Sequence, residues 1–371
     1  MSFGERVRWN VMSRWLGVAL VLLLAAPVAS AAGDGYRITP SGYRVPVLGT
    51  FRAAGGTGST CRRLDAKEIA ASDRGRLTRV HSTAAPRETV RASSSAAVSF
   101  VVVYADRAGA GFNDRALGEA RRAALASALS AWSRVLVAGV PITVEASFAS
   151  SDDEDLLAAA APTDFVVQNG LLVPLSLAAQ RAGAPVNRGG ADLTIEFGPD
   201  VDWDYVPDGV SPRGTYSFVY TAIHEIGHGL GFFDTFDPDT GEVSNGLPTS
   251  YDIHINRGTT AGNLLMTRDA RRVERDLISE DLYFAGPNAV QASLVSIKPL
   301  PMVRLYAPDP YEYGSSISHL DQDTYANVLT GLMVPQDFGP DYAYVDRLAL
   351  AIMADVGYVT NPAAIPAAPG R

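Results

Sequence analysis

A short apolar run at 98–104, VSFVVVY, has the length and β-branched content of a strand. Asn113 or Asp114 then caps an amphipathic helix reaching about residue 137, and 142–148 reads as a second strand, so the unit is strand, helix, strand. A further strand is predicted at 193–197. From 215 to 230 the period changes to that of a helix, with Phe218, Val219, Ala222, Ile223, Ile226 and Leu230 forming one stripe. Residues 232–318 carry many Pro and Gly and read as strand-and-loop material. The pattern is helical again over 345–356, where Gly357 is placed to stop it. Residues 32–97 are rich in Gly, Ser, Ala and Arg without a sustained apolar period, which predicts a low-order extension or pro-segment. The Pro and Ala tail 361–371 is expected to be disordered. No internal repeat is present, and the whole predicts one mixed α/β domain over 98–360.

Before the extension, Arg6, Arg8 and Arg14 precede an apolar run at 15–26 and the small residues Ala29-Ser-Ala31, which reads as a secretory signal over 1–31. The run is short for a membrane span, which needs about 20 residues, so export into the periplasm or medium is expected, with no span in the mature chain. The 371 residues carry a net charge of -9, so no field attracts phosphate backbones and nucleic acid is not an expected partner. Cys61 is the only cysteine, so no disulfide within the chain can form.

Residues 224–228 read His-Glu-Ile-Gly-His, the H-E-x-x-H pattern. Two imidazoles four residues apart on a helix project from one side and can share a metal ion. Thr221, His224 and His228 fall opposite Ala222, Ile226 and Leu230, so the histidines are expected to face a cleft. Glu225 stands beside the pair, where a carboxylate can take a proton from metal-activated water. Zinc is the ion that suits imidazole nitrogens and hydrolysis. Gly227, Gly229 and Gly231 each weaken a helix by up to about 1 kcal/mol relative to Ala, so close backbone approach or a sharp turn must explain them. A catalytic zinc usually has three protein ligands. Of the remaining histidines, His81 lies in the extension and His254 on the polar face of an expected strand. His319 and the carboxylate of Asp234 are the two candidates.

The run His224 to Phe232, HEIGHGLGF, resembles the active-site helix of the metzincin zinc peptidases, with Gly231 at their turn and Met333 at their Met-turn. The wider pattern is most similar to the leishmanolysin-like branch. That resemblance implies a twisted sheet and active-site helix above a cleft, and below it an insertion over 232–318, the Met-turn and a closing helix at 348–358. It implies His319, in a Ser-His segment followed by Leu-Met-Val-Pro at 332–335, as third zinc ligand, with Asp234 the alternative used by a minority of small bacterial relatives. The Cys-rich architecture of leishmanolysin itself is missing here.

The resulting expectation is a secreted zinc-dependent endopeptidase acting on proteins or peptides, with subsite walls in the loops 198–214 and 334–344. The alternative is a secreted zinc-binding adhesion or protein-binding module that cleaves nothing. No Gly-x-Ser-x-Gly elbow supports a nucleophilic hydrolase. The segment 237–241, Asp-Pro-Asp-Thr-Gly, is part of a calcium-loop pattern, but a hairpin turn is the stronger reading and a structural Ca2+ the weaker. Cys61 reads first as an inert thiol and second as a latency ligand that fills the open zinc position in the precursor.

Overall fold

A computed structural model describes residues 36–38, 44–46, 50–53, 87–90 and, with short gaps, 97–366. The expected signal at 1–31, Cys61 and His81 lie outside the described residues, as does the segment Ser-Asp-Asp-Glu-Asp at 151–155. Seven strands form the central sheet: β1 (Thr50–Ala53), β2 (Arg87–Val90), β3 (Phe100–Tyr104), β4 (Ile142–Phe148), β5 (Leu156–Pro162), β6 (Leu193–Phe197) and β7 (Gln336–Asp337). Their order is β7-β1-β5-β6-β4-β3-β2. β3, β4 and β6 run parallel, whereas β2, at one end, and β5, beyond β6, pair antiparallel to their neighbours. The sheet therefore reaches outside 98–360, because β1 and β2 belong to the segment expected to lack order. At four residues each, they are too short to show a period.

The side chains follow the pleat. β3 buries Phe100, Val102 and Tyr104, and β4 buries Ile142, Val144 and Ala146. Each fully buried Val, Ile or Phe is worth about 1.5–3 kcal/mol. Between β3 and β4 runs helix α1 (Gly118–Val135), preceded by a 3-10 turn at Gly111–Asn113, so the helix starts later than its predicted cap. Helix α2 (Leu175–Ala182), absent from the sequence reading, precedes β6. Helix α3 (Phe218–Leu230) packs against both α1 and β5. The buried indole of Trp132 on α1 donates to the Ile223 carbonyl of α3 at 2.8 Å, and Phe197 of β6 stacks on Phe218 at 4.2 Å. β5, read LLAAAAP, was not expected as a strand because alanine favours helix. Pairing on both edges overrides that preference, and its small side chains allow α3 to lie close across it.

Residues 232–318 contain more than strands and loops. A three-stranded antiparallel meander (Ile255–Arg257, Leu282–Phe284, Val303–Arg304) accompanies helix α4 (Pro287–Leu294), which packs on the last helix, α5 (Arg347–Val356). Asp355 of α5 accepts from the amides of Asn288 and Ala289 and so caps α4. At the end of the domain Val359–Thr360 pairs with Leu136–Val137, and the first part of the tail expected to be disordered forms a 3-10 turn at Pro362–Ala364. No helix among the described residues is long and apolar enough to cross a membrane.

Candidate metal centre

Helix α3 starts where Ser217 accepts from the Tyr220 amide, and it ends at Gly231, whose φ of +124° is a conformation that L side chains rarely adopt. There the Gly231 amide donates to the His228 carbonyl and the Phe232 amide to the Gly227 carbonyl, the paired bonds of a Schellman ending. The turn does more than stop the helix. It carries the Phe232 carbonyl back over the last turn, where His228 Nδ1 donates to it at 2.7 Å. The other glycines are explained by close approach. A Cβ on Gly227 would lie 3.0 Å from the Met333 sulfur, and one on Gly229 would lie 3.0 Å from a Leu193 methyl.

His319 arrives from the other half of the chain. Ile317, two residues earlier, has φ of +69°, a strained conformation for a β-branched residue. It is held there by its amide, which donates a hydrogen bond to the Tyr306 carbonyl at 2.6 Å, and by the Tyr251 hydroxyl, which donates to its carbonyl at 3.0 Å. The Tyr306 amide in turn donates to the His319 carbonyl, and the His319 Nδ1 donates to the Ser315 carbonyl at 2.9 Å. His224 Nδ1 donates to the Leu332 carbonyl at 2.6 Å, just before the buried Met333.

These contacts fix the chemistry of the cluster. Each Nδ1 faces a carbonyl oxygen, which only accepts, so each Nδ1 carries the ring proton and each Nε2 presents a lone pair. The three Nε2 atoms lie 2.9, 3.1 and 3.2 Å from one another. Three acceptors that close cannot hydrogen-bond together, and they call for a cation between them. Imidazole nitrogens bound tetrahedrally to zinc stand about 3.3 Å apart, close to the observed spacing. Burial holds His228 down at about 4 and keeps His224 and His319 well below the usual imidazole range, with the neighbouring histidines adding to the shift of the last two. All three are therefore neutral at pH 7, the state a metal ligand needs. Among the described residues this is the one group of three His, Cys, Asp or Glu side chains whose ligand atoms lie within 4.8 Å of one another.

Asp234 does not join the cluster. Its carboxylate accepts from the Ser318 hydroxyl at 2.8 Å and from the Phe236 amide at 3.0 Å. Burial, and then the charge of Asp252, push it up to about 8. It ties the turn after α3 to the residue preceding His319, a supporting rather than a ligating position. His254 sits in a 3-10 turn rather than on a strand, with its Nε2 3.2 Å from the Asp355 carbonyl, and is not part of the histidine cluster. Residues 237–241 form a turn in which Asp237 accepts from the Asp239 and Thr240 amides, as the hairpin reading expected. Glu225 is on α3 next to His224 and is fully buried, as are the three histidines, so none of them faces the open cleft expected.

One residue of the centre escaped the sequence reading. Asp346 caps α5 through the Ala349 amide at 2.8 Å, and its other oxygen accepts from the Leu332 amide at 2.9 Å. It thereby holds the peptide whose carbonyl orients His224. The expected helix over 345–356 takes in Asp346, whereas α5 begins at Arg347 with Asp346 as its cap, and the second contact is purely tertiary. No protein-family profile matches the chain, and no curated protein sequence matches it.

Proposed function

We propose that this chain is an exported zinc-dependent endopeptidase of the metzincin type, nearest the leishmanolysin-like branch. One observation carries the proposal: three neutral, buried imidazoles present converging lone pairs, and Glu225 sits within the same helical motif. A mixed α/β fold in which the third histidine, Met333 and a closing helix follow a long insertion supports the same reading.

In this reading His224, His228 and His319 hold zinc, and the carbonyls of Leu332, Phe232 and Ser315 keep the three rings in the right tautomer. Bound zinc supplies Lewis-acid polarisation of the scissile carbonyl and makes water acidic near neutral pH. Glu225 accepts the proton that the attacking water loses and delivers it to the leaving amine nitrogen. Met333 packs beneath the helix at Gly227 and fixes its height relative to the His319 segment.

Casein and peptide-library cleavage, measured with and without a chelator, tests the proposal. It should be run on the full chain and after light trypsin treatment that clips the extension. Cleavage lost on chelation and restored by zinc is the expected result. A zinc-loaded, clipped protein that cuts nothing would favour the binding-module reading instead.

A further inference from the structure

We infer that Thr221 is the positioning residue for the base: its hydroxyl donates to one carboxylate oxygen of Glu225 and leaves the other oxygen to face the attacking water. The inference deepens the peptidase reading and rests on it for the role of Glu225.

Two observations carry it, and the first is a hydroxyl without an acceptor. Thr221 is fully buried on α3, and its Oγ1 hydrogen-bonds to none of the described residues. A helical threonine ordinarily gives this proton to the carbonyl three or four residues back, here Phe218 or Ser217. Around the same helix the Tyr220 hydroxyl donates to the Gly331 carbonyl at 3.1 Å, His224 Nδ1 to that of Leu332 at 2.6 Å and His228 Nδ1 to that of Phe232 at 2.7 Å. Thr221 is the exception, and a buried donor without an acceptor destabilises a fold.

The second observation is its place. At about 100° per residue, Glu225 lies about 40° to one side of Thr221 and His224 about 60° to the other, with His228 within about 20°. Thr221 therefore stands at the N-terminal end of the stripe that carries the two histidines and the base. Residues four apart on a helix have Cβ atoms about 5–6 Å from each other. Long helical side chains lean towards the N-terminus, which carries the Glu225 carboxylate back over the turn that holds Thr221.

A carboxylate turns easily about its last bond. A donor on one oxygen fixes its plane, so the other oxygen keeps one direction for the proton it takes from water and hands to the leaving amine. The proton on Thr221 Oγ1 stays in place throughout. Bonds of this kind tighten in the substrate complex, and a hydroxyl still open in the substrate-free chain agrees with that.

The test compares Thr221→Val and Thr221→Ser with the parent, each expressed as the full chain, loaded with zinc to equal content and clipped lightly with trypsin. Valine keeps the shape and loses the donor, whereas serine keeps the donor. In Thr221→Val the kcat for peptide cleavage should fall by at least about tenfold with KM within about twofold, and Thr221→Ser should return kcat to within about threefold of the parent. In a Glu225→Gln background the valine should change the residual rate by less than about twofold, because the base it would misplace is gone. A parent-like kcat in Thr221→Val, a fall that serine does not restore, or the same fall with and without Glu225 overturns the inference.

Two readouts need no cleavage. The fold makes no use of the hydroxyl, so Thr221→Val should melt at or above the parent temperature; a lower melting temperature shows the hydroxyl bonded within the fold and overturns the inference. In protein labelled with carbon-13 at the glutamate carboxyls, the infrared band lost in Glu225→Gln is that of Glu225. This band should shift in Thr221→Val and return in Thr221→Ser, and a band unmoved by valine overturns the inference. If the parent cuts no peptide while the band shifts as expected, the peptidase reading fails and the contact stands.

Discussion

Replacing Asp346 with alanine removes two buried acceptors at once. Loss of the cap on α5 costs about 1 kcal/mol, and the Leu332 amide left without a partner costs about 1–3 kcal/mol more. The sum, about 2–4 kcal/mol, lowers the melting temperature by about 4–8 °C in a domain of this size. Burial raises the Asp346 pKa to about 6, so between about pH 4 and 6 the native state holds a proton that the unfolded chain has already lost. The stabilisation from this group is therefore full at low pH and is lost as pH rises through 6. Alanine has no such term, so the deficit of the variant should be larger at pH 5 than at pH 8. The site should respond separately. Freeing the Leu332 peptide loosens the carbonyl that orients His224, which predicts a 10 to 100-fold weaker zinc affinity, typical of groups that support ligands. Asp346→Asn keeps one acceptor and should lose less of both. Calorimetry gives the stability and competition with a chromogenic chelator gives the affinity. A protein that is destabilised as predicted yet binds zinc as tightly as the parent would refute the positioning argument.

His319→Ala should abolish stoichiometric zinc by elemental analysis, whereas Asp234→Ala should weaken it by no more than about 100-fold; a loaded His319→Ala beside an empty Asp234→Ala would reverse the ligand assignment. In Gly227→Ala the helix gains up to about 1 kcal/mol, but the new methyl meets the Met333 sulfur, and overpacking costs about 1–3 kcal/mol. Chemical denaturation should therefore show a neutral or destabilised variant, and a gain of the full 1 kcal/mol would mean that Met333 does not press on the helix. Zinc affinity measured by titration should stay flat from pH 8 to about pH 5 and fall steeply towards pH 4, because burial keeps the imidazoles from protonating earlier. A decline that starts at the ordinary imidazole pKa near 6.5 would contradict the buried, neutral cluster.

The part of the centre that was legible in the sequence is the part written into local spacing. The four-residue step from His224 to His228, the stripe from Phe218 to Leu230 and the stop at Gly231 are properties of one helix, and α3 reproduces them. The strand at 142–148 likewise matches β4, because a β-branched run bounded by a turn has few other solutions. What escaped is set by distant partners. β5 is an alanine-rich segment that becomes a strand only because β6 and β1 pair with it. The strands at 50–53 and 87–90 have too few residues for a period, and only their partners reveal them. Elimination among five histidines leaves His319 as a candidate and the resemblance favours it, but its placement depends on a strained Ile317 that no propensity foretells. Asp234 is the weaker candidate in the sequence, and the engagement of its carboxylate by Ser318 and the Phe236 amide is a tertiary fact that no local pattern carries.

The most direct test of the account is the initial rate of peptide cleavage by the clipped Glu225→Gln protein, measured beside the clipped parent at equal zinc content. Three histidine ligands without the carboxylate should still hold about one zinc per chain, while the rate falls by at least about a hundredfold, since general-base catalysis supplies about 10² to 10⁴. A zinc-loaded Glu225→Gln protein that cleaves peptides at the parent rate would contradict it.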